Sequence, residues 1–191
     1  MSAYPDRFTA YLDACVLAGA LRRNMLLSLA EAGLFRPRWS ARVLDETQSA
    51  IARITNGATD GQRQREAIDR AFPEALVSGY EPLEPGLVLP DPDDRHVLAA
   101  AIATSASVIV TDNLRDFPAD ALAGHGLSAV SADAFLADTI ALDTSVAMSA
   151  LRRMRVRFGN PALDVETLVR KSEGQGLLQV ATLMDGHRPM L

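Results

Sequence analysis

Asp13 and Asp112 each stand behind a short apolar run, the first closed by Leu12 and the second by Ile109-Val110-Thr111. In a parallel α/β sheet, function gathers beyond the carboxyl ends of the strands, so two strands here deliver two acids to one rim. An aspartate set between Leu12 and Ala14 has little water around it and needs a partner to stay charged. Helices supply two more acids. At 100° per residue, Val43, Leu44, Ile51 and Ile54 share one face of a helix opened by Ser40, and Glu46 falls about 110° from its centre. Asp45 lies about 150° to the other side, nearer solvent. The same arithmetic sets Asp94 in line with Val97, Leu98, Ala101 and Ile102, and leaves Asp93 off that line.

Carboxylates gathered without matching bases imply a cation, and an all-oxygen ligand set suits Mg2+ or Mn2+ better than zinc. Such an ion acidifies a bound water and neutralises charge on a leaving oxygen, which is the chemistry of phosphodiester hydrolysis. Asp13 and Asp94 are the expected first ligands, with Glu46 and Asp112 completing the site or forming a second one. Each residue also fits a plainer role. Asp94 suits an N-cap, Glu46 a solvated helix position, and Asp112 an Asx-turn with Asn113. Their shared address at the strand ends sets them apart.

The elements that must position these acids are legible in outline. An apolar run over 8–12 leads into a helical pattern over 14–32, with Gly33 as its stop. Leu34 and Phe35 suggest a short strand, and Ser40 caps a helix to Ile54, broken by Asn56-Gly57. A charged helix is expected over 62–72, strand-like segments over 75–80 and 86–89, and a helix over 95–105 opened by Asp91-Pro92-Asp93-Asp94. The run over 107–111 is the cleanest strand, followed by a short helix over 119–123, an apolar stretch over 127–130 and a helix from Ser131. Beyond these, Ala147, Leu151, Met154 and Phe158 form one stripe, Asn160-Pro161 a turn, and two further helical segments follow near Val165 and Leu177. The alternation predicts an α/β fold, a Rossmann-like parallel sheet flanked by helices, with a small C-terminal helical appendage. The expected domains are 1–141 and 142–191.

Composition narrows the classes. With 191 residues, 48% apolar and 23% charged, the chain can bury a core and is not expected to be disordered. No stretch approaches the ~20 apolar residues of a membrane helix. The N-terminus lacks the layout of a secretory signal, and Cys15 is the single cysteine, so a cytoplasmic protein without disulfides is expected. The net charge of −5 is not that of a typical nucleic-acid binder, yet 18 of the 19 basic residues are arginine, whose planar fork suits phosphate. A GC-rich coding bias explains that excess equally well.

Four stretches occur in a telling order: Asp13-Ala-Cys-Val-Leu, Leu34 to Glu46, Asp94-Arg-His-Val-Leu-Ala-Ala-Ala, and Val110-Thr-Asp-Asn-Leu-Arg-Asp-Phe-Pro118. Over roughly 8–140 this order resembles the PIN domain, and within it the VapC-type toxins of bacterial toxin–antitoxin pairs. The resemblance implies a Mg2+- or Mn2+-dependent endoribonuclease, frequent homodimers and a cognate antitoxin partner. By motif, Asp13, Glu46 and Asp94 match the first three acidic positions. Asp112 is favoured for the fourth, with Asp116 as competitor and Thr111 and Asn113 as groups supporting the ligands. On this reading Asp13→Asn is expected to abolish cleavage and growth arrest while leaving stability unchanged or higher.

The arginines Arg22, Arg23, Arg36 and Arg38 near the rim, and Arg152, Arg153, Arg155 and Arg157 in the appendage, are the candidates for RNA phosphates. His96 is expected to cap or lie on the surface, Cys15 to pack, and Trp39 to pack before the N-cap rather than stack on a base. Two other functions stay open. The displaced fourth acid fits a PIN-like binding module with weak or lost catalysis, and related folds cut DNA flaps, although the chain shows no evident clamp for duplex DNA.

Overall fold

The computed structural model describes residues 8–159 and 162–191. The Asn160-Pro161 turn and the N-terminal residues inspected for a signal lie outside them. In chain order the elements are β1 (Thr9–Leu12), α1 (Ala14–Ala18), α2 (Ala20–Glu31), β2 (Arg36–Ser40), α3 (Ala41–Ile54), α4 (Gly61–Ala71) and β3 (Leu76–Val77). Then come α5 (Arg95–Ala103), β4 (Val108–Val110), α6 (Ala119–Ala123), β5 (Ser128–Val130) and α7 (Ala132–Leu142). Three more helices follow: α8 (Thr144–Arg157), α9 (Val165–Gly174) and α10 (Leu178–Gly186). Two compact units result, one from the chain up to Ala20 with Arg36–Ser131, the other from Leu21–Phe35 with Ala132–Leu191. No helix among the described residues is long and apolar enough to cross a membrane.

The first unit holds a five-stranded, all-parallel sheet in the order β3-β2-β1-β4-β5. Ala10 stands opposite Pro37 on one side and Val108 on the other, so β1 is central. Both faces of a central parallel strand are covered, which is why Ala10, Tyr11, Leu12, Ile109 and Val110 are all buried without alternation. Burying a branched side chain of this kind contributes roughly 1.5–3 kcal/mol. Helix α5 packs on β1, β2 and β4, and its Ala99, Ala100 and Ala101 are fully buried around the helix. Trp39 is fully buried with Phe72 edge-on at 5.8 Å, so its indole packs, as its position before the cap suggests. Ser40 does cap α3, accepting from the Val43 N–H at 3.2 Å.

The second unit is helical. Phe35 and Phe135 meet edge to face at 4.9 Å, and Leu26, Leu136, Met148, Leu151, Leu168 and Val180 fill its interior. Asp133 receives the N–H groups of Gln179 and Val180 at the start of α10. The unit also includes Leu21–Phe35, which the sequence pattern did not group with the C-terminal helices.

Local expectations fail in three places. The helical pattern over 14–32 splits because Gly19 turns extended, and Gly33 then closes α2 with φ +74°. Residues 34–35 are not a strand, since Leu34 N–H bonds back to the Leu29 carbonyl and β2 begins only at Arg36. The segment 86–89 alternates buried Leu87 and Leu89 with exposed Val88 but pairs with no strand, following instead a 3-10 turn over Glu81–Gly86.

Candidate functional site

The sheet order changes direction between β1 and β4, and a crevice at such a point opens beyond the carboxyl ends of those two strands. Asp13 sits there, its own N–H bonded to the Val110 carbonyl at 3.1 Å. Both of its side-chain oxygens are hydrogen-bonded. Oδ1 accepts from Ala14 N at 2.6 Å, capping α1, while Oδ2 accepts from Thr111 Oγ1 at 2.7 Å and Cys15 Sγ at 3.1 Å. Such bonds offset the cost of burying a polar group. Thr111, fully buried, also accepts the Asn113 N–H at 3.1 Å.

Asp94 stands at the start of α5, half-buried, and the Oδ2 atom is buried with no hydrogen-bond partner among the described residues. Single oxygens of Asp91, Asp94 and Asp116 all lie within 4.8 Å of one another. Partial burial, then the charges of Asp13, Asp91 and Asp116, push the Asp94 carboxyl up to about 6, with His96 pulling the other way. Asp91 opens the 3-10 turn Pro92–Asp94 and accepts from Asp93 N at 2.9 Å. Asp116 is held by the side-chain amide of Asn113. An orphaned buried oxygen among mutually repelling carboxylates is the donor set a hard divalent cation requires.

Of the acids expected from sequence, Asp94 and Asp116 come together, and the Asp13 charge acts on Asp94. Glu46 belongs to a neighbouring arrangement, its Oε1 taking His96 Nε2 at 3.2 Å and Arg42 Nε at 3.3 Å. Partial burial works to raise the Glu46 carboxyl, but the His96 hydrogen bond, then the His96 and Arg42 charges, outweigh it and hold it below its ordinary value. Asp112 is exposed and stands outside the trio, with its N–H directed to Cys15 Sγ at 3.3 Å. Asp91 was not foreseen. The signal was present, since residues three apart across a proline-opened turn project to one side.

Several side chains depart from expectation. His96 is neither cap nor surface residue but 1% exposed and paired with Glu46. Cys15 does not pack. The residue is exposed, yet its sulfur sits among Asp13, Thr111 and the Asp112 N–H, and burial of the sulfur and the Asp13 charge push the thiol up to about 12. Arg23 is 5% exposed, which argues against a phosphate contact. Arg155 is spent on the carbonyls of Leu163 and Leu191, Arg157 on a two-pronged pair with Glu31, Arg22 on the Gln175 carbonyl and Arg38 on that of Glu74. Arg36, Arg152 and Arg153 remain exposed.

A family profile described as PIN domain matches residues 9–115, ending one residue short of Asp116. A second, described as VapC50 C-terminal domain, matches residues 132–185. The chain is 38% identical over 76 residues to a Mycobacterium tuberculosis protein named "Putative ribonuclease VapC50", an overlap of 40% of this chain and 45% of that one. The chain therefore aligns with less than half the length of this curated relative. No solved structure matches it. With a parallel sheet, acids at its switch point and a profile spanning more than half its length, the chain belongs to the PIN domain family.

Proposed function

We propose that this chain is a divalent-metal-dependent endoribonuclease that hydrolyses RNA phosphodiesters, the toxin of a toxin–antitoxin pair. The observation that carries the reading is the convergence of Asp91, Asp94 and Asp116 within 4.8 Å, with the Asp13 charge acting on Asp94. Membership of the PIN family and the ribonuclease name of the relative support it.

Asp94, Asp91 and Asp116 would hold Mg2+ or Mn2+, with Asp13 beside them. Bound there, the ion supplies an acidified water and offsets charge at the leaving oxygen. The chain's own work is orientation. Asn113 holds Asp116, and Thr111 and Cys15 hold Asp13. Glu46, kept below its ordinary pKa, suits a ligand or orienting role better than that of a general base, which works best near neutral. The exposed Arg36, Arg152 and Arg153 are candidates to meet RNA phosphates.

The same proposal includes a cytoplasmic homodimer and an antitoxin that sends an arginine into the acidic group. It also includes a nuclease domain over 1–141 and an extension over 142–191. The second family match and the second block of the helical unit both start at Ala132, so truncation after 131 or after 141 decides where α7 belongs.

The test is cleavage of a labelled RNA hairpin and a DNA flap with and without Mn2+, alongside a calorimetric Mn2+ titration. RNA cleavage dependent on Mn2+, with heat of binding, is expected. A folded protein giving no heat at millimolar Mn2+ would be a binding module instead, and preferential cutting of the flap would make it a DNA nuclease.

A further inference from the structure

Among the described residues, His96 is a buried ionisable side chain next to Glu46 to which the proposed chemistry gives no task. Its ring is 1% exposed, on the first turn of α5, and its Nε2 lies 3.2 Å from Glu46 Oε1 on α3. Its Nδ1 is buried with no hydrogen-bond partner among the described residues. In a neutral imidazole one nitrogen carries the proton and the other a lone pair. An ionised carboxylate only accepts, so Nε2, facing Glu46 Oε1, carries a hydrogen in the neutral ring and in the imidazolium alike.

Both donors to Glu46, the buried His96 and the exposed Arg42, converge on Oε1. Oε2 receives no bond among the described residues. The two donors are unequal. Arg42 also reaches the Asp93 carbonyl at 3.2 Å and stands 3.9 Å from Glu84, on a long side chain that is 44% exposed. The imidazole, walled in on a short stem, has one place to be.

We propose that His96 is a positioning residue, which pins Oε1 of Glu46 through Nε2–H and leaves Oε2 as the oxygen that serves the metal centre. The inference rests on the nuclease reading for the use made of Oε2, but not for the His96–Glu46 bond. Groups that orient metal-binding carboxylates typically change affinity or activity by about 10- to 100-fold when removed.

Two variants and two kinds of measurement test it. His96→Leu keeps apolar volume without a donor, and His96→Gln restores an amide N–H at the end of a similar reach. In the metal-free protein, the 15N spectrum of the His96 ring should show a protonated Nε2, and Glu46→Gln should shift the Nε2 resonance. An unprotonated Nε2, or an Nε2 indifferent to Glu46→Gln, overturns the bond. In the folded protein, judged by a cooperative melt, His96→Leu should weaken Mn2+ binding or slow saturated RNA cleavage by about tenfold or more, with RNA affinity unchanged. His96→Gln should recover most of that loss. A folded His96→Leu protein that matches wild type, or a His96→Gln protein no better than His96→Leu, overturns the positioning role. If the wild-type protein neither binds Mn2+ nor cuts RNA, the nuclease reading fails, and the ring spectrum still decides whether His96 holds Glu46.

Discussion

Two aspartates a few ångströms from one crevice live under opposite conditions. Asp13 is buried and fully served, with donors from Ala14, Thr111 and Cys15 on its two oxygens. Asp94 is less buried yet worse off, with one orphaned oxygen and three like charges pressing on it. The difference separates two uses of a carboxylate. Asp13 ties the end of β1 to the end of β4 and contributes to the fold, whereas Asp94 stores repulsion that only a proton or a cation relieves. Sites that bind ions tend to be built from the second kind.

The sharpest way to break this contrast is Asp94→Asn. Cleavage in Mn2+ should fall by more than about a hundredfold, since charge stabilisation at the reacting centre is lost. The metal-free protein should nonetheless melt at a higher temperature than wild type, because a repelled charge is gone. A lower melting temperature would mean that Asp94 is structural.

Asp13→Ala should do the reverse to stability. Losing an N-cap costs about 0.5–2 kcal/mol, and the Thr111 hydroxyl is left without its acceptor. Its melting temperature should fall, which calorimetry would show. The sequence alone suggested that neutralising Asp13 leaves stability untouched or improved, and the three donors on its oxygens argue otherwise. Thr111→Val probes the same corner more gently. It removes one donor from Asp13 and one acceptor from Asn113, and chemical denaturation should register a loss of about 1 kcal/mol.

The smallest effect is a slope. Because the folded pKa of Asp94 lies above its ordinary 3.8, the native metal-free protein holds a proton that the unfolded chain has released. Stability from this group is present in acid and is lost as pH rises towards about 6, levelling off above. Melting temperatures across that window should show the decline in wild type and not in Asp94→Asn. Identical slopes in the two proteins would remove the contrast between the two aspartates.

What was legible and what was not divides along the range of the interactions involved. Apolar periodicity, the Ser40 cap, the run Val108–Val110 and the placement of Asp13 behind a strand depend on neighbours a few residues apart, and these needed no coordinates. So did the solvent-facing Asp45 and the inward Asp94, since helical geometry alone orders them. The segment 86–89 shows the limit. Its alternation resembles a strand, but a strand exists only where another offers its hydrogen bonds, and none does.

The composition of the acidic group was decided by tertiary structure. Whether Asp112 or Asp116 turns inward depends on the 3-10 turn after β4 and on the amide of Asn113. Asp91 joins only because its turn meets that loop. Glu46 was identified by its helix, yet its anchorage to His96 links residues fifty positions apart. Residue types and local spacing determined that carboxylates would gather at the strand ends. Which oxygens face one another, and which are already occupied by donors, follows from contacts between distant segments that no local pattern encodes.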